Sequence, residues 1–209
     1  MVKAGIEALD QELAKFKNAK EWIETMRYSP NGKFLAVGSH DNGIYIYSTD
    51  DYSLKSSNHM MHSSFIVALD WSVDSSALHS CCGAHELLFW TVSEEGELAH
   101  NPNGAEELRD EHWDRFSTHF GWPVQGIFGH LKDYSHVNRV DRSQDGNTFA
   151  IGNDWGLVEV IRNPNDMRCY SKGNKAHSSH VTNVKWTYDS AFLLSAGGYD
   201  QCIMQWKIA

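Results

Sequence analysis

An all-β protein built from repeated sheets is what this 209-residue sequence predicts. Three observations carry the prediction. Four segments align with one another: "SPNGKFLAVGSHDNGIYIYS" from Ser29, "SVDSSALHSCCGAHELLFWT" from Ser72, "SQDGNTFAIGNDWGLVEVIR" from Ser143 and "TYDSAFLLSAGGYDQCIMQW" from Thr187. Each holds a small polar turn, an apolar run, a tight turn and a second apolar run. A further apolar segment precedes each of them ("WIETMRY", "FIVALDW", "HVNRVDR", "HVTNVKW"), and the runs are rich in Ile, Val, Phe, Tyr and Trp. Short strands in fours, at a period of about 40–45 residues, are the signature of a β-propeller.

The elements follow in order. Residues 1–21 precede the repeats, which occupy about 22–58, 59–100, 118–172 and 175–209. In "GIYIYS" and "ELLFWT" both parities are apolar, as in a strand buried on both faces. The repeat starts lie 43 (29 to 72), 71 (72 to 143) and 44 (143 to 187) residues apart, so the second interval holds 28 extra residues (71 − 43). An acidic insertion at about 93–117 falls there and is expected to form a loop on the scaffold. Between Ser93 and Arg115 it carries eight acids and two arginines, a net charge of −6. The last repeat stops at the end of its third strand, so its outer strand is not local. The four repeats are expected to form an incomplete ring, seven-bladed when whole. Its open ends would be completed by more chain, a second copy or another protein.

"MHSSFIVALDWS" and "AHSSHVTNVKWT" resemble the WD40 segment that carries a buried histidine. In that family the His joins a Ser or Thr, an Asp and a Trp in a hydrogen-bond network, because a buried indole and imidazole need partners. The second repeat keeps His62 and Trp90 but has Ala84 in place of the Asp. The last offers His177, Asp200 and Trp206, with Ala196 at the Ser position. The first keeps Asp41 and has Tyr47 for Trp; the third has Asp154 near the turn and Ile161 for Trp. No repeat completes the network on this alignment, and hydrophobic packing is expected to carry most of the stability.

Longer stretches narrow the match. "MRYSPNGKFLAVGSHDNGIYIY", "HSSFIVALDWS", "FGWPVQGIF" and "HSSHVTNVKW...SAGGYDQCIMQWKI" occur in that order and resemble the C-terminal WD40 blades of the echinoderm microtubule-associated-protein-like family. The resemblance implies a propeller with a non-catalytic scaffold role and a cytoplasmic, cytoskeletal setting, including the cilium or flagellar axoneme. It implies protein partners, tubulin or microtubule-associated proteins among them. The family's basic N-terminal region and coiled coil have no counterpart in these residues. The resemblance also reads Leu13 to Phe16 as the outer strand of a preceding blade, whereas the spacing of Ile6, Leu9, Leu13 and Phe16 reads as one face of a short helix. The strand is the favoured reading.

Composition narrows the function classes. A formal net charge of −9 makes free nucleic acid a poor partner. It also argues against a simple electrostatic grip on tubulin, whose surface is acidic. No apolar run reaches the length of a membrane span, and the four cysteines show no paired framework, as in a reducing compartment. No metal or cofactor site is expected. His79, Cys81, Cys82 and His85 are close in sequence, but strand alternation sends His79 and Cys81 away from Cys82. No nucleophile elbow or phosphate loop is present, and the adjacent carboxylates lie in the acidic loop, so no catalysis is expected. Trp113, Trp122 and Trp155, in or beside the insertion and in a turn, are the candidate partner-binding residues, provided they are exposed. The expected function is docking in cytoskeletal or ciliary assemblies. A general WD40 adaptor of a signalling or ubiquitin-ligase complex is the alternative.

Overall fold

A computed structural model describes residues 12–128, 136–163 and 172–207. They form four antiparallel sheets. The first holds β1 (Ile23–Tyr28), β2 (Phe34–Ser39), β3 (Ile44–Ser48) and β4 (Leu54–Asn58). The second holds β5 (Ile66–Trp71), β6 (Ala77–Cys82), β7 (Leu87–Val92) and β8 (Leu98–His100). The third holds β9 (Val137–Arg142), β10 (Thr148–Asn153), β11 (Leu157–Arg162) and β12 (Lys172–Lys175). The fourth, among the described residues, has β13 (Val181–Trp186), β14 (Phe192–Gly197) and β15 (Ile203–Lys207). Each sheet is a meander, and β1, β5, β9 and β13 are the inner strands that line one channel.

The turns between first and second strands are set by one device, used four times. A hydroxyl at the turn's start donates to a carboxylate or amide oxygen two residues on and accepts the amide N–H five residues on. The pairs are Ser29–Asn31–Phe34, Ser72–Asp74–Ala77, Ser143–Asp145–Thr148 and Thr187–Asp189–Phe192, with contacts of 2.6–2.7 and 2.9–3.0 Å. Local bonds of this kind make Ser, Thr, Asn and Asp turn residues.

Apolar side chains fill the spaces between sheets. Ile44, Ile46, Ile66, Leu69, Trp71 and Leu78 join the first two sheets; Ala150, Val158, Val181, Val184 and Trp186 join the last two. Each pair is latched by one indole: Trp71 Nε1 donates to the Arg27 carbonyl, and Trp186 Nε1 to the Asp141 carbonyl, both at 3.1 Å.

The second and third sheets meet differently. Their inner strands do not lie side by side as β1 and β5 or β9 and β13 do. A wedge separates them, made of the helix α1 (Gly104–Glu107) and residues 113–127, which include a 3₁₀ turn (Trp122–Val124). Trp113, Phe116, Val124 and Ile127 from the wedge pack with Ala77 and Phe89 on one side and Val140, Phe149 and Ile161 on the other. Asp141 accepts the backbone N–H of Trp186 from the next inner strand at 2.8 Å; at the equivalent place Asp70 accepts the N–H of Ser117 at 2.7 Å. The wedge therefore occupies an inner-strand position without forming a sheet. The connection runs on from Asn101, later than the acidic stretch suggested, because β8 completes the second sheet and Glu94, Glu95 and Glu97 lie in or beside the β7–β8 turn.

The N-terminal segment differs from expectation. Residues 12–19 form neither strand nor helix. Phe16 stacks on Tyr47 at 4.1 Å, the Tyr47 hydroxyl donates to the Asn18 side chain, and Tyr45 Oη lies 3.3 Å from the Asn18 carbonyl. Side-chain packing on the outer face of the first sheet has taken the place of a hydrogen-bonded ladder. Ile6 and Leu9 lie outside the described residues. The two end faces of the array are apolar and partly open: Met26 and Tyr28 are exposed on the first sheet, Leu194 and Ile203 on the fourth.

Candidate functional site

The site is the mouth of the channel, and four β-bulges build it. In every sheet the inner strand carries one extra residue at the same place: Glu24, Val67, Asn138 and Thr182 lie at the register shifts between inner and second strands. A bulge bends its strand and re-aims a side chain. All four residues line a cavity of about 540 Å³. It opens on the face formed by the β2–β3, β6–β7 and β10–β11 turns, and His85, His119, His136 and His180 line it as well.

Charge at the mouth is balanced locally. Arg139 reaches from β9 to the Glu24 carboxylate on β1, two sheets away, and His40 Nε2 meets the same carboxylate at 3.1 Å. Asn138 donates to Asp154 at 3.0 Å and to the Val181 carbonyl at 3.1 Å. His119 is buried; burial and the nearby His85 lower its pKa from 6.5 to about 4, so it is neutral at pH 7, with Nε2 lacking a hydrogen-bond partner among the described residues. Aromatic and thioether groups rim the face: Trp22, Phe65, Met60, Met61, Trp155 and Tyr199 are exposed. Trp22, His40 and Phe65 run in sequence, with ring centroids 5.2 and 4.4 Å apart.

The histidine networks hold the turns of this face. In the fourth sheet His177 Nδ1 meets Asp200 at 2.8 Å, His177 Nε2 meets Ser195 Oγ at 2.8 Å, and Trp206 Nε1 donates to Ser195 Oγ at 3.0 Å. The network is complete, and the serine is Ser195 rather than a position lost to Ala196. The β14–β15 turn is one residue longer than its counterparts, which displaces an alignment made from the turn. In the second sheet His62 Nε2 meets Ser80 Oγ at 2.7 Å and Trp90 Nε1 donates to it at 2.8 Å. Asp41 serves a different set in the first sheet: it accepts from Tyr45 Oη at 2.5 Å, Lys20 N at 2.8 Å and Gly43 N at 3.0 Å. Burial pushes its pKa up, but these donors outweigh burial and hold it below the usual carboxylate range. In the third sheet Ile161 is a core residue, and Asp154 accepts from His136 N and Asn138.

The three candidate tryptophans part company. Trp113 is 5% exposed and stacks on His79 at 3.8 Å, so it is core and not a docking residue. Trp122 is half exposed, donates to the Ala105 carbonyl and carries the Arg109 guanidinium 4.6 Å above its ring, which ties it to the wedge. Trp155, 53% exposed, stands on the channel-mouth face. Sequence reasoning missed the bulges, which show only in the pairing register. It also missed Asp70, buried and accepting from Ser117 N, Ser117 Oγ, Thr118 N and His79 Nε2. Cys81 and Cys82 are buried free thiols and Cys202 an exposed one; Cys169 lies outside the described residues.

Comparison with known proteins places this architecture. Residues 6–208 match the family model described as the echinoderm microtubule-associated protein second beta-propeller. The chain belongs to this family. Within the echinoderm microtubule-associated protein family and its kin it is 44% identical over 206 residues to the "Ciliary WD repeat-containing protein ctxp80" of Euplotoides octocarinatus, covering 99% of this chain and 28% of that protein. It is 43% identical over 195 residues to the 77 kDa echinoderm microtubule-associated protein of Lytechinus variegatus, covering 91% and 29%. Against the human echinoderm microtubule-associated protein-like 1 the identity is 38%, covering 91% and 23%. The chain thus spans less than a third of the length of these relatives. Among solved structures, the β-propeller domain of Myceliophteria thermophila Cps50 (Swd1) superposes with a TM-score of 0.63 at 15% identity, covering 90% of this chain and 65% of that one; this likeness concerns the fold alone.

Proposed function

We propose that the chain is a non-catalytic scaffold module of a microtubule-associated protein and docks protein partners in cytoskeletal or ciliary assemblies through the channel-mouth face. One observation carries the reading: a cavity of about 540 Å³, lined by the four equivalent bulge residues and by Phe65, opens on a face of turns that also carries exposed Trp22, Trp155 and Tyr199, Tyr199 lying against the cavity-lining His180. Rigid aromatics around a concave, polar-lined depression make a good anchor for a protein segment, because they bring large contact area at low entropic cost. The names of the relatives, one microtubule-associated and one ciliary, support the assembly.

Cosedimentation with microtubules tests it. The wild-type chain pellets and the Trp155→Ala, Tyr199→Ala double variant pellets much less at equal stability. If neither this chain nor a longer form pellets, the tubulin part of the reading is lost. Partners captured by the same face that include no tubulin or ciliary protein would instead identify a general adaptor.

A further inference from the structure

The same histidine network is built twice in this chain, and the two copies differ in one respect. In the fourth sheet Gly197 leaves room for the bond between His177 Nδ1 and Asp200: a Cβ there would lie 1.9 Å from Asp200 Oδ1 and 2.5 Å from His177 Nδ1. In the second sheet the strand position of Gly197 is held by Cys82, each being the last residue of its second strand and each paired with the first residue of its inner strand. Cys82 brings a side chain to that strand position, and the turn after it has Ala84 in place of an acid. The acid comes instead from Glu86, at the foot of β7.

This exchange leaves His62 without the partner its counterpart has. Its side chain is 1% exposed, and among the described residues Nδ1 makes no hydrogen bond of good geometry. Glu86 Oε2 lies 3.5 Å from Nδ1, beyond the 2.7–3.2 Å of a good N–H···O bond. Cys82 Sγ lies 3.1 Å from the same carboxylate oxygen. The imidazole nitrogen, the sulfur and the carboxylate oxygen all fall within 4.8 Å of one another.

We propose that His62, Cys82 and Glu86 bind one Zn²⁺ ion, through Nδ1, the thiolate and a carboxylate oxygen. Nitrogen, sulfur and oxygen donors in this combination suit zinc. Tetrahedral zinc with ordinary bond lengths sets its ligand atoms about 3.3–3.6 Å apart; here Nδ1 and Sγ stand 3.5 and 3.1 Å from the carboxylate oxygen and within 4.8 Å of each other, so a small side-chain adjustment completes the set. The surroundings fit as well. Zinc-binding imidazoles donate their second ring N–H to an oriented acceptor; Ser80 Oγ stands 2.7 Å from His62 Nε2 and is itself fixed by the Trp90 indole. The Ser63 N–H and hydroxyl, at 2.9 and 2.7 Å, hold the Glu86 carboxylate in place. The Glu86 side chain is 36% exposed, which gives the ion an entry path and leaves its fourth position to water.

Protons balance simply. Without the ion the Cys82 sulfur carries its proton and donates it to Glu86 at 3.1 Å. On binding, the S–H bond breaks, a Zn–S bond forms and one proton passes to solvent. The imidazole binds neutral, with its proton on Nε2.

The test uses the full chain, stripped of metal and titrated with Co²⁺ as the optical probe. One equivalent produces a thiolate-to-cobalt charge-transfer band, and Zn²⁺ displaces it. Cys82→Ser abolishes the band and weakens Zn²⁺ binding by more than about 100-fold, beyond the roughly 10–100-fold cost of losing even an outer partner. Cys202→Ser, at the exposed thiol, leaves the band unchanged. X-ray absorption fine structure of the zinc-loaded wild type shows one sulfur at about 2.3 Å, and this measurement does not depend on any variant folding. A band that survives Cys82→Ser, no band at one equivalent, or a zinc shell of nitrogen and oxygen alone overturns the proposal.

Discussion

Asp70→Ala is the sharpest probe of how the wedge is held. The carboxylate is fully buried and accepts four hydrogen bonds: from Ser117 N at 2.7 Å, Ser117 Oγ at 2.8 Å, His79 Nε2 at 3.1 Å and Thr118 N at 3.2 Å. Burial pushes its pKa up, but His79, Ser117 and the Arg27 guanidinium outweigh burial and bring it down to about 2. Truncation orphans all four donors in a water-poor site. Each buried orphan costs about 1–3 kcal/mol where it finds no new partner. Because relaxation admits some water, the expected loss is about 4 kcal/mol. For a chain of this length that lowers the melting temperature by about 8–16 °C. Unfolding followed by tryptophan fluorescence measures it, and Trp113, stacked on His79, reports detachment of the wedge directly. Asp74→Ala, at an exposed turn carboxylate bonded to Ser72 and Ser76, is the comparison and costs about 1 kcal/mol or less. If Asp70→Ala is no worse than Asp74→Ala, the wedge is not anchored as described.

Three further outcomes follow from the geometry. His119 has its pKa depressed from 6.5 to about 4, by burial first and then by His85, while Asp70 and the Asn138 backbone act in the opposite sense. Its contribution to stability is therefore complete above pH 6.5 and is lost as pH falls toward 4, by at most about 3 kcal/mol; urea unfolding across that window shows the slope, and His119→Leu flattens it. Ser195→Ala removes the shared partner of His177 and Trp206 and costs about 2 kcal/mol; a denaturation midpoint equal to wild type would refute the network's role. Gly156→Ala places a Cβ 2.1 Å from the His177 carbonyl oxygen at a φ of +77°, and costs about 2–3 kcal/mol in the same assay.

Much of this fold is legible residue by residue. Ser29, Ser72, Ser143 and Thr187 mark the four turns because their hydroxyls close the turn locally, so no tertiary information is needed to find them. Doubly apolar β3 is buried throughout, as its pattern says. The failures have a common cause: they concern pairing register and tertiary position. The Ser195 position was displaced because an alignment counts residues through the turn, while the network counts them along the paired strands. The bulged Glu24, Val67, Asn138 and Thr182 look like any strand residues until the partner strand is known. Nothing in "DRFSTHFGW" resembles a repeat, yet Ser117 makes an inner strand's bond to Asp70. Trp113, inside an acidic stretch, is an anchor candidate only if exposed, and the packing of His79 and Phe116 shows it to be core.

An array of like units is ordinarily cooperative by adjacency, each stabilising the next along the line. The wedge interrupts that succession. The first and second sheets share one latch and one apolar layer, the third and fourth share another, and among the described residues the apolar packing between the two pairs runs through residues 113–127, with the Arg139–Glu24 ion pair and the His85–His136 stack crossing at the channel mouth. The molecule is thus two dimeric halves joined by a keystone, and a keystone concentrates failure. Lesions within either half remain local, whereas loosening Asp70, Phe116 or Ile127 splits the array at one fixed seam, where native-state hydrogen exchange would register the first sub-global opening.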